Sequence, residues 1–269
     1  MQGASDEIEV VYIGGGPTVD IARPKLFVLA IGISKYPGTR KLDYAAQDAA
    51  ALADAFKKHS SPLYESVEVN VIPDERADRK GIFAGMLWLR ERMMDGKSVG
   101  IAFFGGHGEK DKDDSLYFLP VDFEEKNLSG SAIEADVLKK QLLSIPGRKM
   151  LILDACHSGQ IDSGKTRGVG GLTDQLVRDL TAEENGLIVM CSALGTEQAQ
   201  ESHQFRHGLF TSALLEGLAG KATQSGDGAV YLTALDNYVS ARVKELSKGQ
   251  QNPVTGKSTS VRDFPLSKP

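Results

Sequence analysis

The chain has 269 residues, 41% of them hydrophobic and 25% charged, which is the balance of a globular protein with one large α/β domain or two small ones. Its formal net charge of −5 comes from intermixed acidic and basic residues, and the absence of a basic run argues against a nucleic-acid partner. The sequence has no apolar stretch of membrane-spanning length, no signal-peptide pattern, and two cysteines that suggest no disulfide framework. We therefore expect a cytoplasmic protein that binds neither nucleic acid nor a membrane.

Strand-like and helix-like segments alternate along the chain. Continuous apolar runs predict buried strands at Leu26–Ile33, Val67–Ile72, Val99–Gly106, Lys149–Cys156 and Gly186–Ala193, with a short extended piece at Leu116–Phe123. Amphipathic or alanine-rich runs predict helices at Ala45–Lys58, Arg79–Met94, Ala132–Ile145, Gly208–Gly220 and Thr233–Gly249. Asp78 is the expected N-cap of the second helix, and Thr233 with Asp236 predicts a capped start of the last one. This alternation implies crossover connections and a mostly parallel sheet with helices on both faces.

The domain boundaries follow from composition. Residues 1–24 are turn-rich without a sustained period, which predicts an N-terminal extension or linker. One domain is expected over residues 25–255, and residues 256–269 are expected to form a C-terminal tail. A charged, glycine-containing loop spans residues 157–185, and a loop of that length inside a compact domain is usually functional or disordered.

Two of the predicted strands end in residues that can perform chemistry. The segment "VGIAFFGGHGE" ends its strand near His107, and "KMLILDACHSG" ends its strand at Cys156. Ligands of open α/β sheets bind beyond the carboxyl ends of the strands, so neighbouring strands would bring both residues to one crevice. A thiolate that attacks a carbonyl, with an imidazole that activates the thiol or protonates the leaving amine, makes a thiol protease. The amides of Gly108 and Cys156 are the candidate donors to the oxyanion.

A lone cysteine at a strand end is more often a buried core residue than a nucleophile. The presence of His107 at the end of a second strand favours a nucleophilic role for Cys156. Cys191 lies within an apolar run and is expected in the core. We expect His207, in "HGLFT", to cap a helix or shape the cleft.

The motifs "FFGGHG" and "DACHSG", in this order, resemble the two catalytic motifs of the caspase-like peptidases, and the second resembles the metacaspase and bacterial branch. "KLFVLAIGISKY" and "LDYAAQDAAALADAF" resemble the first strand and first helix of the family. "HGLFTSALLEGLAGKA" and "GQQNP" resemble its small-subunit region. The resemblance implies a caspase-like three-layer α/β/α sandwich with a mostly parallel central sheet. Residues 25–160 correspond to the large subunit and residues 186–255 to the small one. One departure is Gly105, where metacaspases usually carry serine.

The resemblance implies roles for the matching residues. His107 would be the catalytic histidine and Cys156 the nucleophile. Asp48 and Asp154 match the acids that line the S1 pocket of metacaspases, and two carboxylates in one pocket would bind an arginine or lysine side chain. We therefore expect a monomeric cysteine endopeptidase that cleaves protein or peptide substrates after Arg or Lys. Bacterial relatives often carry a sensor domain, so a fused or separate sensor domain is a candidate partner.

Several further residues are candidates on the same resemblance. The loop over residues 157–185 is often cut during maturation in the family, and its candidate self-cleavage sites are Lys165, Arg167 and Arg178. Ser192 and Glu201 are candidates for the substrate groove. The motifs themselves require no cofactor, but many metacaspases need calcium, for which Asp122 is a candidate ligand.

Three alternatives compete with this interpretation. A caspase-like enzyme with another preference, such as Asp before the cleaved bond, should have basic pocket residues, whereas the matched positions are acidic. An inactive caspase-fold scaffold usually lacks the histidine or the cysteine, and both are present here. A nucleotide-binding α/β domain should have a P-loop, and the sequence has none.

Overall fold

The structure is a computed structural model that describes residues 23–38, 40–113, 115–157, 177–178, 181, 187–193, 197, 199–258 and 261–269, with the backbone alone at 156 and 157. Its strands are β1 Leu26–Gly32, β2 Val67–Pro73, β3 Val99–Lys110, β4 Leu116–Phe118, β5 Ile133–Glu134, β6 Arg148–His157, β7 Leu187–Cys191, β8 Glu201–Ser202, β9 His207–Gly208, β10 Val230–Tyr231, β11 Val254–Lys257 and β12 Pro265–Ser267. Its helices are α1 Ala45–Ser60, α2 Arg79–Arg92, α3 Leu128–Ser131, α4 Ala135–Leu143, α5 Leu209–Glu216 and α6 Leu232–Leu246. A 3₁₀ turn covers Asp74–Arg76, and a π-helical turn covers Gly217–Lys221.

The central sheet has the order β11-β7-β6-β3-β1-β2. Its strands β2, β1, β3, β6 and β7 are parallel, and β11 pairs antiparallel with β7 at one edge. The short strand β4 pairs antiparallel with the end of β3, and β5 pairs with β4. The expected mostly parallel sheet between helical layers is confirmed. Within the described residues, no helix has the length and apolar character needed to cross a membrane.

Two apolar cores lie on opposite faces of this sheet. Successive side chains of a strand point to opposite faces. Leu29 and Ile31 of β1 accordingly join a cluster that includes side chains of α2 and α4. Val28 and Ala30 join a second cluster with side chains of α1, α5 and α6. The continuous apolar strands of the sequence are therefore explained by burial on both faces.

The first turn of α1 lies directly against the end of β1. A Cβ atom added to Gly32 would be 2.2 Å from the backbone oxygen of Ala45 and 2.7 Å from Cβ of Ala49. Glycine at this position therefore permits a close approach of helix and strand. The approach brings Asp48, in the first turn of α1, to the carboxyl ends of the parallel strands.

The two strands that carry the candidate catalytic residues extend further than the sequence predicts. The expected end of β3 at Gly106 is wrong, because pairing continues to Lys110. Beyond Gly106 the strand keeps β6 on one side and gains β4 on the other, so that Gly108 is in register with both His157 and Phe118. His107 therefore lies inside a paired strand.

Other differences from the predicted elements arise from long-range contacts. The expected helix at residues 132–145 begins at Ala135, after the two residues of β5 have paired with β4. Asp78 is the N-cap of α2, as expected, and accepts from the Gly81 amide at 2.6 Å. The capped start expected for the last helix is wrong, because Asp236 instead accepts from the Thr255 hydroxyl at 2.7 Å.

The end of the chain also packs on the domain. The sequence predicts a tail over residues 256–269, yet β12 pairs with β10, and Leu266 is fully buried in the second core. A three-residue strand has no recognisable period in the sequence, so this contact could not be found from the local pattern.

Candidate active site

The parallel register of β3 and β6 brings the candidate catalytic residues to the same level of the sheet. His107 is in register with Cys156, and two positions earlier Gly105 is in register with Asp154. Neighbouring strands lie only about 4.8 Å apart, so each pair lies on adjacent backbones. The sequence predicts that His107 and Cys156 meet at the ends of neighbouring strands.

The His107 ring is buried and held in a defined orientation. Its Nε2 lies 2.7 Å from the backbone oxygen of Arg40, and its backbone amide donates to the Tyr36 hydroxyl at 3.0 Å. The Tyr36 hydroxyl in turn donates to the carbonyl of Leu119 at 2.8 Å. Because a carbonyl oxygen only accepts, Nε2 carries a proton, and in the neutral ring Nδ1 is the basic nitrogen.

The glycines before His107 make room for this arrangement. A Cβ on Gly106 would be 2.6 Å from the Tyr36 hydroxyl, which is the group that holds the His107 amide. A Cβ on Gly105 would be 3.0 Å from the ring of Phe103. The Phe103 ring therefore crowds the position where metacaspases usually carry serine.

Arg40, which provides the carbonyl for His107, is fixed by its own side chain. Its guanidinium pairs with Glu109 and, at 3.0 Å, with Glu125, and it lies 5.4 Å from the centre of the Phe123 ring. Glu109 follows His107 by two positions on β3. The pair with Glu109 therefore connects the loop between β1 and α1 to the strand that carries the histidine.

Asp48 is one of two buried acids near the candidate catalytic pair. It is 3% exposed, its Oδ1 is hydrogen-bonded to Nδ1 of His207, and its Oδ2 accepts from the Gly208 amide at 2.9 Å. Burial is the largest influence on the Asp48 carboxyl and raises its pKa, while the bonds from His207 and Gly208 lower it.

Asp154 on β6 is the second acid and has a different set of partners. Its Oδ2 accepts from the Thr211 hydroxyl at 2.8 Å, and its carboxyl also accepts from the Ser192 side chain. The residue as a whole keeps some exposure, but burial of the carboxyl group and the nearby charge of Asp48 raise the pKa of Asp154 to about 7.

The two carboxylates converge on Gly208. A Cβ added to this glycine would be 3.1 Å from Oδ2 of Asp154 and 3.2 Å from Oδ2 of Asp48. Within the described part of the chain, no lysine or arginine forms an ion pair with either acid. The site therefore concentrates negative charge in a buried place, where a cation would be stabilised.

The two candidates for the substrate groove, Ser192 and Glu201, both act on Asp154. Ser192 is buried and accepts from Nε2 of Gln251 through its carbonyl, in addition to its bond with Asp154. The Glu201 carboxylate accepts from the amides of Asp43 and Tyr44 at 2.9 and 3.0 Å, just before α1. The charge of Glu201 also contributes to the raised pKa of Asp154.

The remaining candidates lie away from the acid pair or outside the described residues. Asp122 accepts from the amide of Arg79, the first residue of α2, at 3.0 Å. Over the ranges that the structure describes, no three His, Cys, Asp or Glu side chains are grouped to hold a metal ion. Lys165 and Arg167 lie outside the described residues, and Arg178 is exposed.

No motif in the sequence identifies Tyr36, Arg40 or Thr211. Each contacts a candidate residue from a distant segment, so no local spacing identifies it. His207 was assigned to a helix cap or the cleft, and its bond to Asp48 places it beside the acid pair. Cys191 is buried in β7, as expected of a core residue.

Comparison with known proteins decides the family. The family model of the caspase domain, peptidase C14, matches residues 25–265. The chain belongs to the caspase-domain family of cysteine peptidases. The fold is similar to the crystal structure of a protein from Geobacter sulfurreducens, with a TM-score of 0.63 and 16% sequence identity over 88% of this chain and 95% of that one. No curated protein matches the chain significantly.

The ion pairs of Arg40 give a first test of this caspase-domain site. If His107 activates Cys156, Arg40→Ala should slow alkylation of Cys156 by iodoacetamide at pH 7 by about tenfold, because the freed carbonyl no longer orients His107 and the thiolate fraction falls. Arg40→Lys should lose less, since lysine can still pair with one of the two glutamates. Mass spectrometry of the labelled Cys156 peptide measures the rate, and labelling of buried Cys191 would reveal any unfolding of the variant.

The matched control is Arg92→Ala, which removes an exposed pair with Glu68 on the edge strand β2. It should leave the alkylation rate unchanged. An unchanged rate in Arg40→Ala would contradict the role of its side chain.

The raised pKa of Asp154 predicts how stability depends on pH. The folded protein holds the Asp154 proton more tightly than the unfolded chain, whose carboxyl has the ordinary value of 3.8. The stability that this proton provides is present below about pH 4 and is lost as the pH rises through 7. Asp154→Asn should therefore stabilise the protein by about 1–4 kcal/mol at pH 8, with a smaller gain at pH 5.

Thermal unfolding of both proteins at the two pH values measures this difference. Asp54→Asn, an exposed position on α1, is the control and should show no gain that grows with pH. A gain that is equal at pH 5 and pH 8 would show that Asp154 is not the titrating group.

Proposed function

We propose that this cysteine peptidase cleaves proteins after arginine or lysine through a Cys156–His107 dyad. One observation carries the proposal: two buried carboxylates, Asp48 and Asp154, converge on Gly208, and Asp154 lies only two positions before the register pair of His107 and Cys156. Asp154 lies two positions before Cys156 on β6. A pocket of this charge next to the nucleophile would select the side chain before the cleaved bond, called P1.

The electrostatics of the acid pair favour a basic P1 side chain. Each carboxylate raises the energy of the other's charge, and burial removes the water that would screen them. A guanidinium or ammonium group offsets both penalties, whereas a P1 aspartate would add a third negative charge. With Asp154 titrating near pH 7, binding of a cation should release its proton at neutral pH.

The proposed reaction uses the two paired residues in turn. The Cys156 thiolate forms a bond to the scissile carbonyl carbon, and the carbonyl electron pair moves to oxygen, where the amides of Gly108 and Cys156 donate to it. His107 delivers a proton from Nδ1 to the leaving amine as the C–N bond breaks. Water then attacks the acyl-enzyme while Nδ1 accepts its proton, and the thiolate leaves.

The orientation of His107 supports this proton path. Its Nε2 is bonded to the carbonyl of Arg40, so Nδ1 is the nitrogen that exchanges protons with thiol, amine and water. The acceptor carbonyl also stabilises the imidazolium that forms when the thiol loses its proton.

Hydrolysis of matched fluorogenic peptides that end in Arg, Lys or Asp tests the proposed function. We expect the Arg and Lys peptides to be cleaved at least about 100-fold faster than the Asp peptide, because the acid pair repels a third carboxylate. Cys156→Ala should abolish cleavage of all three. Each rate is measured with calcium and with a chelator, which shows whether the metal is needed. Faster cleavage after Asp would overturn the assignment of Asp48 and Asp154.

We propose further that the enzyme cleaves its own loop over residues 157–185. The support is the basic residues Lys165, Arg167 and Arg178, which suit the proposed specificity. Intact-mass analysis of freshly purified protein should find two fragments in the wild type and one uncut chain in Cys156→Ala. Addition of wild-type enzyme to the uncut variant separates cleavage within one molecule from cleavage between molecules. A Cys156→Ala chain that is still cut at the same bond would contradict self-cleavage.

The cellular setting is proposed from composition and motifs. The sequence D-A-C-H-S-G supports the metacaspase and bacterial branch, and two cysteines without a disulfide framework support a cytoplasmic location. We propose a monomer that a fused or separate sensor domain activates, in accordance with the branch that the motifs resemble.

A further inference from the structure

His207 is a titratable residue that the proposed reaction does not use. It forms β9 with Gly208 and leads directly into α5. Its side chain is 19% exposed, and its Nδ1 is bonded to one oxygen of Asp48 while the amide of Gly208 is bonded to the other. Two successive residues therefore hold both oxygens of a single buried carboxylate.

The bond defines which nitrogen of His207 carries a proton. A carboxylate only accepts, so Nδ1 of His207 donates to Asp48. His107 has the opposite arrangement, with its proton on Nε2 towards Arg40. The two histidines are therefore arranged for different tasks, the first to exchange protons and the second to donate to an acid.

The partners of the two acids are unequal. Asp154 accepts its described hydrogen bonds from the hydroxyl groups of Thr211 and Ser192. These donors are neutral and stabilise a carboxylate charge only weakly. Asp48 receives an imidazole N–H and a backbone N–H, and an imidazole can also become a cation. When two adjacent carboxylates share one buried place, the carboxylate that accepts from the stronger hydrogen-bond donors keeps the negative charge. The contacts favour Asp48 for that role.

The hairpin that carries His207 is fixed to α1 at a second point. In the β8–β9 hairpin, Glu201 is in register with Gly208. The Glu201 carboxylate accepts from the amides of Asp43 and Tyr44 immediately before α1. The hairpin therefore contacts the start of α1 through Glu201 and its first turn through His207, which fixes the position of Asp48 relative to the acid pair.

We propose that His207 is a positioning residue of the P1 pocket, whose Nδ1–H keeps Asp48 ionised and oriented so that Asp48 provides the main negative charge for a basic P1 side chain. This inference rests on the proposed function, because it assigns the two acids to the P1 pocket. It also assigns different roles to the two acids. Asp48, held by His207, carries the negative charge. Asp154, held by the hydroxyl groups of Thr211 and Ser192, forms the other side of the pocket.

Two substitutions separate this role from a general structural one. His207→Leu fills a similar volume but removes the donor, whereas His207→Asn keeps an N–H donor near the position of Nδ1. For a P1 arginine peptide, we expect the leucine variant to raise KM about tenfold with kcat changed less than twofold, because Asp48 loses the imidazole donor, keeps only the Gly208 amide and takes up a proton. The asparagine variant should recover most of the loss in KM.

A second readout does not depend on the P1 pocket. Alkylation of Cys156 by iodoacetamide, a small neutral reagent without a P1 side chain, should proceed at the wild-type rate in both variants. Alkylation by an arginyl chloromethyl ketone should be slowed about tenfold in the leucine variant alone. His59→Leu, near the opposite end of α1, is the control and should leave all of these rates unchanged.

The contrary outcomes distinguish a failure of the inference on His207 from a failure of the proposed function. An unchanged KM in His207→Leu would overturn the inference while the wild-type preference for arginine stands. An equal loss of kcat and of iodoacetamide alkylation in both variants would show a structural role and would also overturn it. A wild-type enzyme that does not cleave after arginine or lysine overturns the proposed function and the inference together. Should His207→Leu fail to fold, the same measurements on His207→Gln, whose longer side chain displaces the donor, decide the question.

Discussion

The register between β3 and β6 is the constraint on which the candidate site depends. One parallel pairing places His107 beside Cys156 and, two positions earlier, Gly105 beside Asp154. A shift of one residue would reverse the faces of every side chain on one strand, and the close packing of different side chains in the two cores makes such a shift costly. The apolar strands that form the two cores therefore also fix the positions of His107, Asp154 and Cys156 along the sheet. Other elements, such as the first turn of α1 and the β8–β9 hairpin, are then brought to this edge of the sheet by close packing and hydrogen bonds.

The two acids of the site have different hydrogen-bond partners, which affect the charge of each acid differently. Asp48 and Asp154 converge on one glycine, but the first is bonded to an imidazole and an amide and the second to hydroxyl groups. A buried acid pair of this kind is costly for folding when both members are ionised, and a bound cation removes that cost. Under the proposed function, stability and substrate recognition are thus opposed at Asp154, as is common where a site binds a charged ligand.

The sequence predicted the parts of the fold that have a strong local pattern. The parallel strands and the longer helices are apolar or amphipathic over many residues, and Asp78 had a recognisable cap position. The two-residue strands and the true start of α6 depend on distant partners such as Asp263, which accepts from the Thr233 amide, and no local pattern shows them. For the same reason the motifs around His107 and Cys156 could be found, whereas the carbonyl of Arg40 and the hydroxyl of Thr211 could not.

The most direct test of this account is a crystal structure of the enzyme after reaction with an arginyl chloromethyl ketone. We expect a thioether bond to Sγ of Cys156 and a guanidinium group that contacts the carboxylates of both Asp48 and Asp154. The Asp48 carboxylate should remain bonded to His207 in that complex. A guanidinium group bound elsewhere, with no contact to the acid pair, would contradict the claim that these two residues bind the P1 side chain.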